Sequence, residues 1–70
     1  MRLLDRYGKT IADGTYLAKR NYRDFNVELW KYNDLFVEIW RKASLDIVFW
    51  IEVVDEKILD RYTDQIVLPN

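Results

Sequence analysis

The chain has 70 residues and a net charge of −1, from 11 Lys and Arg against 12 Asp and Glu, and it contains neither His nor Cys. That length supports one domain, and the missing residue types exclude disulfides, thiolate metal sites and the commonest general base. We therefore expect a single domain over residues 1–70 that is not an enzyme, with no catalytic residue, metal or cofactor.

The first predicted element is a short N-terminal helix. Its apolar residues recur at helical spacing, as Leu3, Leu4, Tyr7 and Ile11. Gly14 follows as a stop, although Gly8 inside the helix costs about 1 kcal/mol. The alternative is a hairpin on Asp13-Gly14, a dipeptide typical of tight turns between strands.

Strands are predicted next, because the hydrophobic period becomes two. Three segments alternate over residues 25–30, 35–40 and 46–53, and their β-branched and aromatic residues favour strands. Turn residues separate them at 32–34 and 42–44. A further strand is expected over Thr15–Tyr22, so the sequence predicts a three- or four-stranded antiparallel β-meander.

After Val54 the period changes to 3.6, which predicts a C-terminal helix. Asp55 is a suitable N-cap, and Pro69 disfavours helical geometry just before it. One apolar stripe is formed by Ile58, Leu59, Tyr62 and Ile66. The predicted fold class is α+β, with this helix packed on one face of the sheet.

The parity of residue numbers predicts which side chains share a face of the sheet. If every strand turns one apolar set inward, paired residue numbers must sum to an even value, which excludes a two-residue turn at Asn33-Asp34. One face would then be wholly apolar and covered by the C-terminal helix. The other would carry three tryptophans spaced by ten, diluted by glutamates 28, 38 and 52.

This second, aromatic face is the predicted interaction surface. Its candidate interface residues are Trp30, Trp40, Trp50, Phe36, Tyr32 and Val48. Aromatic patches with a polar rim are typical of interfaces, so the favoured partner is a second copy or another protein, with two copies packing sheet to sheet. The simplest alternative is that residues 1–14 cover the face.

Two other classes of function are less favoured. The aromatic face could stack single-stranded nucleic acid, helped by Lys19, Arg20 and Arg23, but its glutamates would repel phosphate, so nucleic acid is an unlikely partner. A ligand or catalytic pocket has the least support, since Ser44 lacks a neighbouring base and no small-molecule site is evident. The sequence offers neither a signal peptide nor a membrane span, so we expect a cytoplasmic protein.

Overall fold

The computed structural model describes residues 3–65, with side chains from residue 6 onward. A four-stranded antiparallel sheet in the order β1-β2-β3-β4 lies between an N-terminal α-helix and a short 3₁₀ helix. The elements are α1 Leu3–Asp13, β1 Thr15–Tyr22, β2 Phe25–Tyr32, β3 Leu35–Lys42, β4 Ile47–Val54 and the 3₁₀ helix Glu56–Tyr62. The predicted α+β meander is confirmed in its four-stranded form, and the N-terminal segment is a helix, not a hairpin.

Two-residue turns join the first three strands and decide which residues share a face. Both turns begin with a residue at positive φ, Arg23 at 53° and Asn33 at 54°. Asn33-Asp34 therefore closes the second hairpin directly, and Trp30 pairs with Val37. Paired numbers in this hairpin have an odd sum, so the predicted odd-length loop and the face assignment built on it are wrong.

The observed register gives the sheet two mixed faces, which we call face 1 and face 2. Face 1 carries Ala18, Arg20, Tyr22, Phe25, Val27, Leu29, Phe36, Glu38, Trp40, Trp50, Glu52 and Val54. Face 2 carries Tyr16, Glu28, Trp30, Tyr32, Val37, Ile39, Arg41, Val48, Ile51 and Val53. Neither face is wholly apolar, because each combines residues from both predicted faces.

Both faces are packed against other elements, so the domain has three layers. On face 2, Tyr7 of α1 packs against a buried cluster of Val37, Ile39 and Ile51. On face 1, Ala18 and Leu29 form a cluster with Tyr62 from the 3₁₀ helix, and other partly buried apolar side chains pack around it. The sheet is therefore the central layer.

The segment after β4 begins as predicted but is not α-helical. Asp55 caps it by accepting a hydrogen bond from the Lys57 amide at 2.9 Å, and the Ile58 amide donates to the Asp55 carbonyl at 3.1 Å in the i to i+3 pattern of a 3₁₀ helix. A C-terminal α-helix packed on the sheet is thus not confirmed. Ile66 and Pro69, which entered that prediction, lie outside the described residues.

The two glycines of the chain provide a matched test of this architecture. A Cβ at Gly8, inside α1, meets no atom within 4 Å, whereas one at Gly14 would collide with the Thr10 carbonyl and lie 3.0 Å from the Lys31 carbonyl. We expect Gly8→Ala to raise the free energy of unfolding by about 1 kcal/mol and Gly14→Ala to lower it. Urea unfolding followed by circular dichroism measures both, and shifts of the same sign would contradict the placement of α1 against β2.

Candidate interaction surface

The 3₁₀ helix covers only one half of face 1. Tyr62, Ile58 and Leu59 pack over the half that contains Ala18 and Leu29. Among residues 3–65 the other half is left open, and it carries five rings, which we call the aromatic patch: Tyr22, Phe25, Trp40, Phe49 and Trp50.

Strand register and one bulge bring these rings together. Trp40 and Trp50 are paired directly across β3 and β4. Beyond this pair the register shifts, since Arg41 pairs with Val48 and leaves Phe49 as an extra residue. The bulge turns Phe49 towards face 1, where its ring centroid lies 5.3 Å from that of Phe25.

The rings pack edge to face, an arrangement that aromatic quadrupoles favour. The Trp40 centroid lies 5.8 Å from Tyr22 and 5.6 Å from Phe25, with interplanar angles of 75° and 71°. Trp40 is held without a hydrogen bond in the described part of the chain, because its buried Nε1 has no partner there. The patch is therefore a packed cluster with Trp40 at its centre.

The rim of the patch is the most exposed apolar surface on face 1. Phe49 and Trp50 keep 59% and 54% of their surface accessible, and Ile47 at the start of β4 and Leu45 in the turn before it are also exposed. Together with Tyr22, these side chains present about 500 Å² of apolar surface, near the upper end for the largest patch on a monomeric protein.

A buried ionic network lies next to the patch on the covered half. Glu38 is 1% exposed, and its Oε2 accepts hydrogen bonds from the Tyr62 hydroxyl at 2.7 Å and from the Arg20 guanidinium at 3.2 Å. Arg20 Nε also lies 3.3 Å from the Tyr62 hydroxyl oxygen. Arg20 thus neutralises the charge of the buried Glu38 carboxylate, and Arg20 and Tyr62 both satisfy its hydrogen-bonding capacity.

Burial raises the pKa of Tyr62, and its hydrogen bond to the Glu38 carboxylate raises it further. Both effects disfavour the phenolate, since that ion would be desolvated and would lie against another negative charge. Arg20 opposes the shift only in part. The Tyr62 hydroxyl therefore acts as a hydrogen-bond donor to Glu38, not as a base.

Cationic side chains lie over the rings of the patch. Arg20 is 5.3 Å from the Trp40 ring centroid, Arg23 is 5.6 Å from Tyr22, and Lys42 is 4.9 Å from Phe25. Such distances permit cation–π attraction. Arg20 thereby links the buried network to the open aromatic patch.

Trp30, Tyr32 and Val48 lie on face 2, beside α1 and away from the aromatic patch. The Trp30 indole donates to Glu28 Oε1 at 3.1 Å and meets Tyr16 edge to face at 5.7 Å. The prediction of a single surface through all six candidate residues is therefore wrong in its geometry. Trp40 and Trp50 share the patch, while Phe36 packs with the covered half of face 1.

Sequence reasoning missed Tyr22, Phe25 and Phe49 as surface residues. One indication was present for Phe49, because residues 48–51 are apolar without interruption and break the alternation that a regular strand would show. Tyr22 and Phe25 flank a two-residue turn, a position that places both rings on one face.

The described residues hold no group of three or more acidic side chains arranged as metal ligands. A cavity of about 250 Å³ lies between α1 and face 2, lined by residues that include Arg6, Lys9 and Thr10. The Thr10 hydroxyl there already donates to the Arg6 carbonyl at 2.9 Å. Among residues 3–65, no helix has the length and apolar character needed to cross a membrane.

Comparison of the chain with protein-family models, with curated proteins and with solved structures finds no match.

The raised pKa of Tyr62 predicts a loss of stability in alkali. The unfolded chain releases the tyrosine proton near pH 10, whereas the folded protein retains it, so the free energy of unfolding falls as pH rises above about 10. Tyr62→Phe should remove the part of this alkaline decrease in stability that is due to Tyr62. At neutral pH the free energy of unfolding of the same variant should be lower by about 1.5–3 kcal/mol, because Glu38 loses a hydrogen-bond donor.

Urea unfolding across neutral and alkaline pH tests both effects, and Tyr16→Phe controls for the number of titrating tyrosines, since its ring is exposed on face 2. A Tyr62→Phe variant with an unchanged alkaline slope would mean that the phenol is not buried against Glu38.

Proposed function

We propose that this protein is a small non-enzymatic interaction module that binds a second copy of itself through the aromatic patch. The observation that carries the proposal is the open half of face 1. There the packed rings of the aromatic patch lie next to the buried Glu38 network and are exposed to solvent. The expected cytoplasmic location belongs to the same proposal.

The size of the exposed surface supports a reversible dimer. If they pack face to face, two patches of about 500 Å² together bury about 1000 Å², close to the lower limit of roughly 1200 Å² for specific interfaces. An area of that size, centred on aromatic side chains, fits an affinity in the micromolar range better than a permanent complex. A 70-residue chain also has few other ways to bury large side chains, because small domains hide a smaller share of their surface.

One observation favours nucleic acid as a second candidate partner. Arg20, Arg23 and Lys42 lie over the rings of the aromatic patch, where the sequence predicts mainly glutamates. Two of these three cations are already paired, Arg20 with Glu38 at 3.2 Å and Lys42 with Asp24 at 3.1 Å. Paired cations release fewer counterions to a phosphate backbone, so the protein partner remains our choice.

Analytical ultracentrifugation from micromolar to millimolar protein tests the proposal. We expect concentration-dependent dimerisation and at least tenfold weaker association for Trp50→Ser, because tryptophan is enriched among the interface residues whose truncation costs 2 kcal/mol or more. Leu35→Ser is the matched control, since Leu35 is an exposed apolar residue on face 2 at the other end of the sheet.

A protein that stays monomeric throughout would refute self-association. Tight binding of a single-stranded oligonucleotide that weakens steeply with salt would instead favour the second candidate.

A further inference from the structure

Strand β4 exposes apolar side chains on both faces of the sheet. Phe49 and Trp50 are exposed on face 1, and Val53 is 49% exposed on face 2. A partner that packs on one face would leave the other side of β4 in water. A strand placed alongside β4 would shield both sides at once.

The two edges of the sheet differ in how they are protected. The edge of β1 carries Lys19, whose backbone amide donates to Gln65 Oε1 at 3.0 Å and whose carbonyl accepts from Gln65 Nε2. The Gln65 side-chain amide thus takes the place of a neighbouring strand. This edge is also polar, and natural proteins use such devices to block pairing.

The edge of β4 is far less protected. The one side-chain contact to it in the described part of the chain is Arg6 Nη1 to the Ile51 carbonyl, at 3.4 Å. That distance is longer than the 2.9–3.0 Å of a well-formed bond, so the amide of another strand could replace it. Glu52 is the only charged residue in the strand, and no proline interrupts it.

Alternation along the sheet shows which backbone groups point outward. In an antiparallel sheet each residue bonds to only one of its two neighbouring strands, and the turn Asn33-Asp34 brings Leu35 of β3 into a bonded pair with Tyr32 of β2. Even-numbered residues of β3 therefore bond to β4, through Trp50, Glu52 and Val54. The amide and carbonyl groups of Ile51 and Val53 face outward, which agrees with the bond from Arg6.

We propose that β4 pairs antiparallel with β4 of a second copy about a twofold axis at Glu52, which joins the two sheets into one of eight strands. This rests on the proposed self-association and names its geometry. Ile51 of each copy would exchange two hydrogen bonds with the second copy's Val53, and Trp50 would lie beside the second copy's Val54. The two aromatic patches would then lie on the same face of the joined sheet, so only their β4 side, at Trp50, would enter the interface, and the patches would not pack face to face.

The register of the proposed β4 pairing depends on the number of hydrogen bonds formed and on the repulsion between the two Glu52 side chains. An axis at Ile51 keeps the two Glu52 side chains apart, but it reaches the Phe49 bulge and leaves one bonded pair in the regular part of the edge. An axis at Glu52 uses residues 50–54, which are regular, and forms two such pairs. The extra hydrogen-bonded pair should raise the affinity by more than the two- to fivefold reduction that the two facing carboxylates cause.

The assembly should stop at two copies. A twofold axis at β4 uses the less protected edge of each copy, and the edges that remain are the β1 edges, each of which Gln65 blocks at Lys19. Sedimentation should therefore show a dimer without larger species.

Proline substitution tests the edge without disturbing the fold. Val53→Pro removes an amide that faces outward and is therefore tolerated within the monomer, but it should weaken association at least tenfold. Asn21→Pro is the matched control, because Asn21 pairs with Asn26 at an outward-facing position of the β1 edge. Circular dichroism establishes that each variant is folded.

Glu52→Gln tests the register independently and needs no proline. It should tighten association two- to fivefold and remove the strengthening that added salt gives the unmodified protein by screening the two carboxylates. Weaker association of Glu52→Gln, or unchanged affinity at every salt concentration, would place the axis elsewhere.

These measurements separate the two proposals. A dimer that is weakened by Trp50→Ser and by Tyr22→Ser, but not by Val53→Pro, would mean that the patches pack face to face; the proposed function would then stand and the edge pairing would fall. A monomer at every concentration overturns both.

Discussion

The buried carboxylate of Glu38 is the constraint on which the arrangement of face 1 depends. A carboxylate at 1% exposure must be neutralised and hydrogen-bonded, and its partners come from two other elements, Arg20 of β1 and Tyr62 of the 3₁₀ helix. Removing either partner leaves an uncompensated group, so the three elements are fixed relative to one another. The ion pair therefore specifies the position of the 3₁₀ helix, whatever its net contribution to stability.

That position explains why half of the face stays open. Tyr62 must reach Glu38, so the 3₁₀ helix crosses the sheet at the end where Ala18 and Leu29 lie. Its seven residues are too few to extend over Trp40 and Trp50 as well. The same contact that neutralises Glu38 thus leaves the aromatic patch without cover from the described part of the chain. A buried polar network and an exposed aromatic surface are two consequences of one placement.

Strand positions could be predicted from the sequence, but the faces could not. Alternation and turn residues locate each strand to within a few residues, and the bounds of the first strand, Thr15–Tyr22, are confirmed. The assignment of faces from residue parity was wrong because β2 has apolar residues on both of its sides. Val27 and Leu29 lie on one side of the strand and Trp30 lies on the other. Either set could be buried, and the deciding features were the two-residue turn at Asn33 and an ion pair between strands that are not neighbours. Neither leaves a periodic pattern in the sequence.

The tryptophans spaced by ten illustrate the same limit. A strand of eight residues and a turn of two give the spacing of ten between Trp30 and Trp40, whereas the four-residue connection after β3 places Trp50 two positions earlier in its own strand. Across the two-residue turn, however, even-numbered residues of β2 share a face with odd-numbered residues of β3, so Trp30 and Trp40 lie on opposite faces. The four-residue β3–β4 connection keeps the odd sum, as the pair Lys42 and Ile47 shows, and the Phe49 bulge alone restores parity, so Trp50 returns to the side of Trp40. The aromatic patch therefore exists because one hairpin carries a bulge and the other does not, a difference that spacing alone cannot express.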